Sequence, residues 1–135
     1  MSEENVEIVR RAFKAFNERD ADPLHEVFTA DVEFGPVLLS GGGVEAAVFR
    51  GHAGMTDFLE MQAETWERSV AKPVAIQDLG DQAVVEVHLD ALGRASGVPV
   101  SRTSWNLLAF REGKIAAVRV YTTEEEALEA AGLRE

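Results

Sequence analysis

Residues 83–92 read Ala83-Val84-Val85-Glu86-Val87-His88-Leu89-Asp90-Ala91-Leu92, and residues 100–111 read Val100-Ser101-Arg102-Thr103-Ser104-Trp105-Asn106-Leu107-Leu108-Ala109-Phe110-Arg111. Both alternate with a period of two, which is the mark of strands that send successive side chains to opposite sheet faces. Shorter runs of the same kind flank them, at Val74 to Leu79 and Ile115 to Thr122. Between the runs stand turn formers: Gly80-Asp81, Ser96-Gly97, and Phe110-Arg111-Glu112-Gly113-Lys114. The last of these reads as a type I turn closed by a glycine bulge. Four strands joined by short turns predict an antiparallel meander over the second half of the chain.

Working outward, the first half changes period. Val6, Val9, Phe13 and Phe16 follow helical spacing, with Ala12 on the same face. Asp22-Pro23 reads as an N-cap followed by proline at the first helical position, opening a short helix from Pro23 to Phe28. Ala30 to Val37 reads as a strand. Leu38 to Val48, with Gly41-Gly42-Gly43, reads as a loop. A third helix carries Met55, Phe58, Leu59, Gln62 and Trp66 on one face. Thr123-Glu124-Glu125-Glu126 forms a capping box for a last helix that Gly132 stops. Helices gathered before a meander, not alternating with its strands, give an α+β domain. At 135 residues it is one domain, 1–135.

Composition excludes several functions. The net charge of −11 argues against nucleic-acid and anionic-membrane partners, which attract positive charge. The absence of cysteine removes disulfides, thiol nucleophiles and cysteine-held metals. His25, His52 and His88 lie in no metal-ligand spacing, so no metal and no cofactor are expected. No apolar run approaches the roughly 18 residues of a membrane span, and the polar start Met1 to Asn5 is unlike a secretory signal, so a cytoplasmic protein is expected.

Register places the side chains. Setting Ala95 opposite Pro99 brings His88 against Asn106, Asp90 against Ser104 and Glu86 against Leu108. Beyond the Gly113 bulge, Asn106 neighbours Val118 and Ser104 neighbours Val120. One face then carries Val84, Glu86, His88, Asp90, Arg102, Ser104, Asn106, Leu108, Phe110, Val118 and Val120. It is apolar at one end and polar at the other, as a small-molecule pocket requires. Slipping any strand by one residue exchanges its faces.

Several marks together resemble the nuclear transport factor two-like superfamily, in its SnoaL-like branch. They are Phe16-Asn17-Glu18-Arg19-Asp20, Phe28-Thr29-Ala30-Asp31-Val32-Glu33-Phe34, Phe49-Arg50-Gly51-His52-Ala53-Gly54, Phe110 to Ile115, Val120-Tyr121 and Ala127 to Leu133. The resemblance implies a cone: three N-terminal helices packed in a curved antiparallel sheet, plus a short C-terminal helix. Its members include steroid isomerases, polyketide cyclases, epoxide hydrolases and dehydratases, beside non-catalytic binding or association domains. The steroid isomerase positions fall on Pro36, near Ala12 with Phe13 beside it, and on Asn106, none kept in kind, so that activity is not expected. Epoxide hydrolases of this fold use two aspartates and an arginine, of which Asp90 and Arg102 offer two. Cyclases use a histidine and an aspartate, types that His88 and Asp90 supply.

These readings converge on a pocket for a small, largely apolar organic molecule. Its chemistry would be cofactor-free proton transfer: cyclisation, isomerisation, dehydration or epoxide hydrolysis. His88 is the candidate acid/base, because an imidazole can donate or accept a proton around neutrality, with Glu86 or Asp90 its partner and Asn106 the holder of a carbonyl or enolate oxygen. Phe34, Phe58, Gln62, Trp66, Arg102, Ser104, Leu108, Val118 and Val120 are the candidate ligand-binding residues. The alternative is a non-catalytic binding or association domain. Val85, Val87, Leu89, Trp105 and Leu107 would leave an apolar patch on the outer face, which predicts a homodimer.

Overall fold

A computed structural model describes residues 2–35, 37–38, 44–45 and 48–132. Helix α1 (Ser2–Glu18) and helix α2 (Ala21–Val27) lead into strand β1 (Phe28–Phe34). The short strands β2 (Val37–Leu38), β3 (Val44–Glu45) and β4 (Phe49–Arg50) precede helix α3 (Gly51–Thr65). The long strands β5 (Trp66–Asp78), β6 (Gln82–Gly93), β7 (Pro99–Arg111) and β8 (Lys114–Tyr121) follow, and α4 (Glu124–Ala130) closes the chain. The main sheet has the order β4-β1-β8-β7-β6-β5, antiparallel except that β1 runs parallel to β8. This is the expected α+β architecture, a curved open sheet around helices.

Local chemistry explains the joints. The end of α1 carries Arg19 at φ 55, and Asp20 N–H reaches back to Ala15 C=O at 3.0 Å. That six-to-one bond is the Schellman close of a helix, made without glycine. Asp20, not Asp22, caps α2: its carboxylate accepts from Asp22 N–H at 3.1 Å. Proline therefore stands at the third helical position. Strand β1 begins two residues earlier than its hydrophobic pattern suggests. Trp66, expected on the face of α3, caps that helix and starts β5 eight residues before Val74. Gly54 is required where α3 crosses β4, since a Cβ there would come within 2.9 Å of the Phe49 backbone. Proline in β5 is tolerated because that strand is the sheet edge and bulges between Pro73 and Ala75.

The β7–β8 turn is tighter than expected. Arg111 pairs with Lys114, and both Glu112 and Gly113 have positive φ, 55 and 76. That is a two-residue type I′ hairpin, whose twist matches the strands it joins. The bulge lies instead between Ala109 and Phe110. Asn106 consequently faces Val120, and Leu108 faces Val118. This moves the register by two residues and leaves the faces as expected.

The β6–β7 register is corrected by three residues. His88 faces Thr103, Asp90 faces Ser101, Glu86 faces Trp105, and Asn106 faces Val85. The physical reason is the loop. Gly93 N–H bonds Val98 C=O at 3.0 Å, so four residues, Arg94 to Gly97, make the turn. Arg94 holds that loop to the end of α3, its backbone N–H on Thr65 C=O and its side chain on Ala63 C=O and Trp66 C=O. An odd shift exchanges faces. Val85, Val87 and Leu89 turn inward, to the core of Val9, Leu24, Val27, Val32, Met55 and Ile115. Val84, Glu86, His88 and Asp90 turn outward.

The outer face is partly covered. Ala127 and Leu128 of α4 pack on Val84 and Leu107, with Trp105 and Tyr121 at the margin. Thr123 caps α4 as the capping box implies, its hydroxyl accepting from Glu126 N–H at 3.1 Å. The apolar patch read from the sequence is thus divided between the core and the bed of α4. Pro36 and Gly41-Gly42-Gly43 lie outside the described residues.

Candidate functional site

The inner face of β7 presents Arg102, Ser104, Asn106 and Leu108 at every second position. Val87 and Leu89 of β6 and Val118 and Val120 of β8 stand beside them. Opposite this wall, α1 contributes Ala12, Phe13 and Phe16, and α3 contributes Met55, Phe58 and Gln62. Phe34 of β1, Trp66 and Ala71 of β5 complete a cavity that leaves about 120 Å³ open to the centres of water-sized spheres. One water needs roughly 10–15 Å³ on that measure. The space therefore suits a multi-atom ligand better than a single structural water.

The apolar part of the wall is built on aromatic contacts. Phe58 is 4% exposed, and its ring centroid lies 4.5 Å from Phe34, 5.2 Å from Phe49 and 5.5 Å from Phe16. Rings at these separations attract through their quadrupoles beyond simple burial. Trp66 is buried at 5%. Its carbonyl accepts from Arg19 at 3.1 Å and from Arg94 at 3.2 Å, which fixes the junction of α3 and β5.

The polar part is small and convergent. Gln62, Ser104 and Asn106 are each buried, and Arg102 is half-buried. Asn106 Oδ1 is buried without a hydrogen-bond partner among the described residues. A buried acceptor left so costs roughly 1–3 kcal/mol. The amide torsion of asparagine is broad, so rotation can turn either its oxygen or its nitrogen towards the cavity. Among the described residues lining the cavity, the charged one is Arg102.

All nine candidate ligand-binding residues border this cavity: Phe34, Phe58, Gln62, Trp66, Arg102, Ser104, Leu108, Val118 and Val120. Of the four candidate catalytic residues, Asn106 lies there too. His88, Glu86 and Asp90 do not, because the register places them on the outer face. There, Ser101 Oγ lies 3.2 Å and Asp90 Oδ2 3.7 Å from His88 Nε2, and Thr103 Oγ1 lies 3.5 Å from Nδ1. Serine and aspartate address the same ring nitrogen. A nucleophile–base–acid relay needs them on opposite nitrogens, so this group is not arranged as one.

The sequence reading left out Phe13, Phe16, Met55, Val87 and Leu89 as cavity residues. The helical spacing that placed Phe13 and Phe16 on one face was the available signal. Val87 and Leu89 stand on the inner face, not on the outer face that the sequence register predicts. His25 is half-buried and stacks on His52 at 4.4 Å with 6° between the planes. His52 Nε2 lies 3.1 Å from Phe28 C=O. Among the described residues, no cluster of histidines and acids could hold a metal. None of their helices is long and apolar enough to cross a membrane.

The SnoaL-like domain family matches residues 9–118. No curated protein matches the chain. Among solved structures, TerC co-crystallised with polyporic acid is 20% identical, with a TM-score of 0.76 over 93% of this chain and 96% of that one. A candidate SnoaL-like polyketide cyclase from Jannaschia sp. CCS1 is 20% identical, with a TM-score of 0.73 over 98% and 93%. A candidate polyketide cyclase from Sinorhizobium meliloti is 25% identical, with a TM-score of 0.65 over 84% and 93%.

Proposed function

The chain belongs to the SnoaL-like domain family, and from that premise we propose that it binds a small, largely apolar organic molecule in the cavity between its helices and its sheet. The observation that carries this reading is the cavity wall itself: aromatic and aliphatic over most of its area, with Gln62, Arg102, Ser104 and Asn106 converging on one side. Such a wall gives burial as the driving force and a few polar groups for orientation. A neighbour of the same fold was co-crystallised with polyporic acid, and two others are polyketide cyclase candidates.

Binding is favoured here over proton-transfer catalysis because His88 and its acids stand outside the cavity. Should chemistry occur, Asn106 and Arg102 are the groups placed to stabilise a developing oxyanion. A homodimer through the outer sheet face is a second part of the proposal. What supports it is the margin that α4 leaves open, where Trp105 and Tyr121 stay half-buried beside exposed Arg119. A monomer by sedimentation at micromolar concentration removes the dimer.

The chain has two tryptophans, and the variant Trp105→Phe leaves Trp66 as a reporter on the cavity wall. Titration with flat aromatic compounds should shift its emission saturably. The further changes Ser104→Val and Asn106→Leu should weaken that binding at least tenfold for ligands bearing oxygen substituents. Unchanged Trp66 emission and an unchanged melting temperature across the panel would overturn the reading.

A further inference from the structure

The cavity has a sign. In a chain of net charge −11, its described wall carries a guanidinium, Arg102, while the acids of the β6 strand, Glu86 and Asp90, point to the other side of the sheet. Arg102 stands opposite Leu89, with Ser104 one step and Asn106 two steps further along the same inner face. Steps of two residues along a strand are roughly 6.6 Å. The polar stripe therefore starts at a cation, passes a hydroxyl and ends at an amide about 13 Å away. Apart from Gln62 of α3, the described lining around the stripe is apolar.

We propose that the ligand is an apolar organic anion, with a carboxylate or comparably ionised oxygen on Arg102, its hydrophobic body against Phe58 and Trp66, and any second oxygen substituent at Ser104 or Asn106. The inference rests on the cavity being the binding site and names the class of molecule that site takes. A guanidinium carries five N–H donors in a planar fork and pairs a carboxylate through two parallel bonds. In a wall of low polarity the attraction is stronger than in water. A neutral ligand of the same shape gains the apolar burial and forgoes this contact. A cationic ligand meets a like charge.

Matched probes separate the two readings. Naphthalene-2-carboxylate against naphthalene-2-carboxamide, and decanoate against decanamide, differ in charge at nearly constant shape. Calorimetric titration at neutral pH should show each carboxylate binding at least tenfold more tightly than its amide. Arg102→Met should abolish that preference, and Arg102→Lys should keep part of it. Equal affinity of acid and amide for the unmodified protein overturns the proposal without recourse to any variant. So does a preference that survives Arg102→Met in protein whose urea midpoint is unchanged. Binding of both members without preference leaves the cavity reading standing and removes this inference alone. Binding of none of the four removes the cavity reading and this inference together.

Discussion

Replacing Asn17 by alanine should cost far more than its place at a helix end suggests. Its side chain docks on the backbone of Ala71 in the edge strand β5, the amide nitrogen donating to Ala71 C=O at 2.9 Å and the oxygen accepting from Ala71 N–H at 2.8 Å. Ala71 lies opposite Leu89 with both polar groups turned out of the sheet, where no further strand exists to pair them. It is 5% exposed. Alanine at position 17 orphans one donor and one acceptor, each at roughly 1–3 kcal/mol when buried. Asn17 itself is half-buried, so entering water lowers the figure. A loss of about 2–4 kcal/mol follows, a large share of the roughly 5–15 kcal/mol that holds a typical domain. Urea unfolding followed by far-ultraviolet circular dichroism reads it as a midpoint lowered by about 1–2 M for slopes typical of small proteins. Asn17→Asp retains the acceptor and sets a carboxylate against Ala71 C=O, so it should be destabilising too. Glu18→Ala, on the exposed neighbour, should stay within about 0.5 kcal/mol. An Asn17→Ala protein within the same margin would refute the reasoning, and with it the claim that this residue anchors α1 to the sheet edge.

A second lock involves acid. Asp78 is held below its ordinary value of 3.8 first by the Gly80 N–H and then by the Asn5 amide. A lowered folded pKa gives stability that is fully present above 3.8 and lost as the pH falls through the lower folded value. The stability gap between the unmodified protein and Asp78→Asn should therefore close as urea titrations move from pH 7 into that acid window, and a constant gap would contradict the linkage. Thr123→Ala removes the cap of α4 and should cost about 1 kcal/mol by the same urea assay. His88→Ala should leave the affinity of cavity probes within twofold in calorimetry, whereas a tenfold loss would return His88 to the site.

Element types were legible because periodicity is local. The resemblance marks also have physical content that the structure exposes. Asn17 in the first is the lock on Ala71, Gly54 in the third permits the crossing of α3 over β4, and Glu112-Gly113 in the fourth makes a type I′ turn. What was not legible was how far the β6–β7 strands slide. Ser96-Gly97 is a fair turn signal, but the loop extends back to Arg94, whose partners Ala63, Thr65 and Trp66 lie about thirty residues away in sequence. The parity of the slide then decided everything about the site. The β7–β8 register differs by two, so Val118 and Val120 stayed on the expected face. The β6–β7 register differs by three, so the β7 half of the expected face lines the cavity while its β6 half, with His88, faces outward.

The same parity alters what the acid excess implies. Eleven net negative charges argue against partners that read the surface over many contacts, as nucleic acid does. Five of the 24 acids sit at helix starts, Glu3 and Glu4 on α1 and Glu124, Glu125 and Glu126 on α4, where they favour the helix dipole and lie exposed to water. Exposed charges act over about 8 Å at physiological ionic strength. A small anion crosses that shell slowly but does not reside in it. Once inside, its free energy is set by the groups in contact, where the described wall offers Arg102 and no carboxylate. For the proposed anionic ligand, surface charge would therefore bear on the rate of entry, and Arg102 on the lifetime of the complex. With β6 turned the other way, Glu86 and Asp90 would share the cavity with Arg102, and the same composition would favour a neutral or cationic ligand.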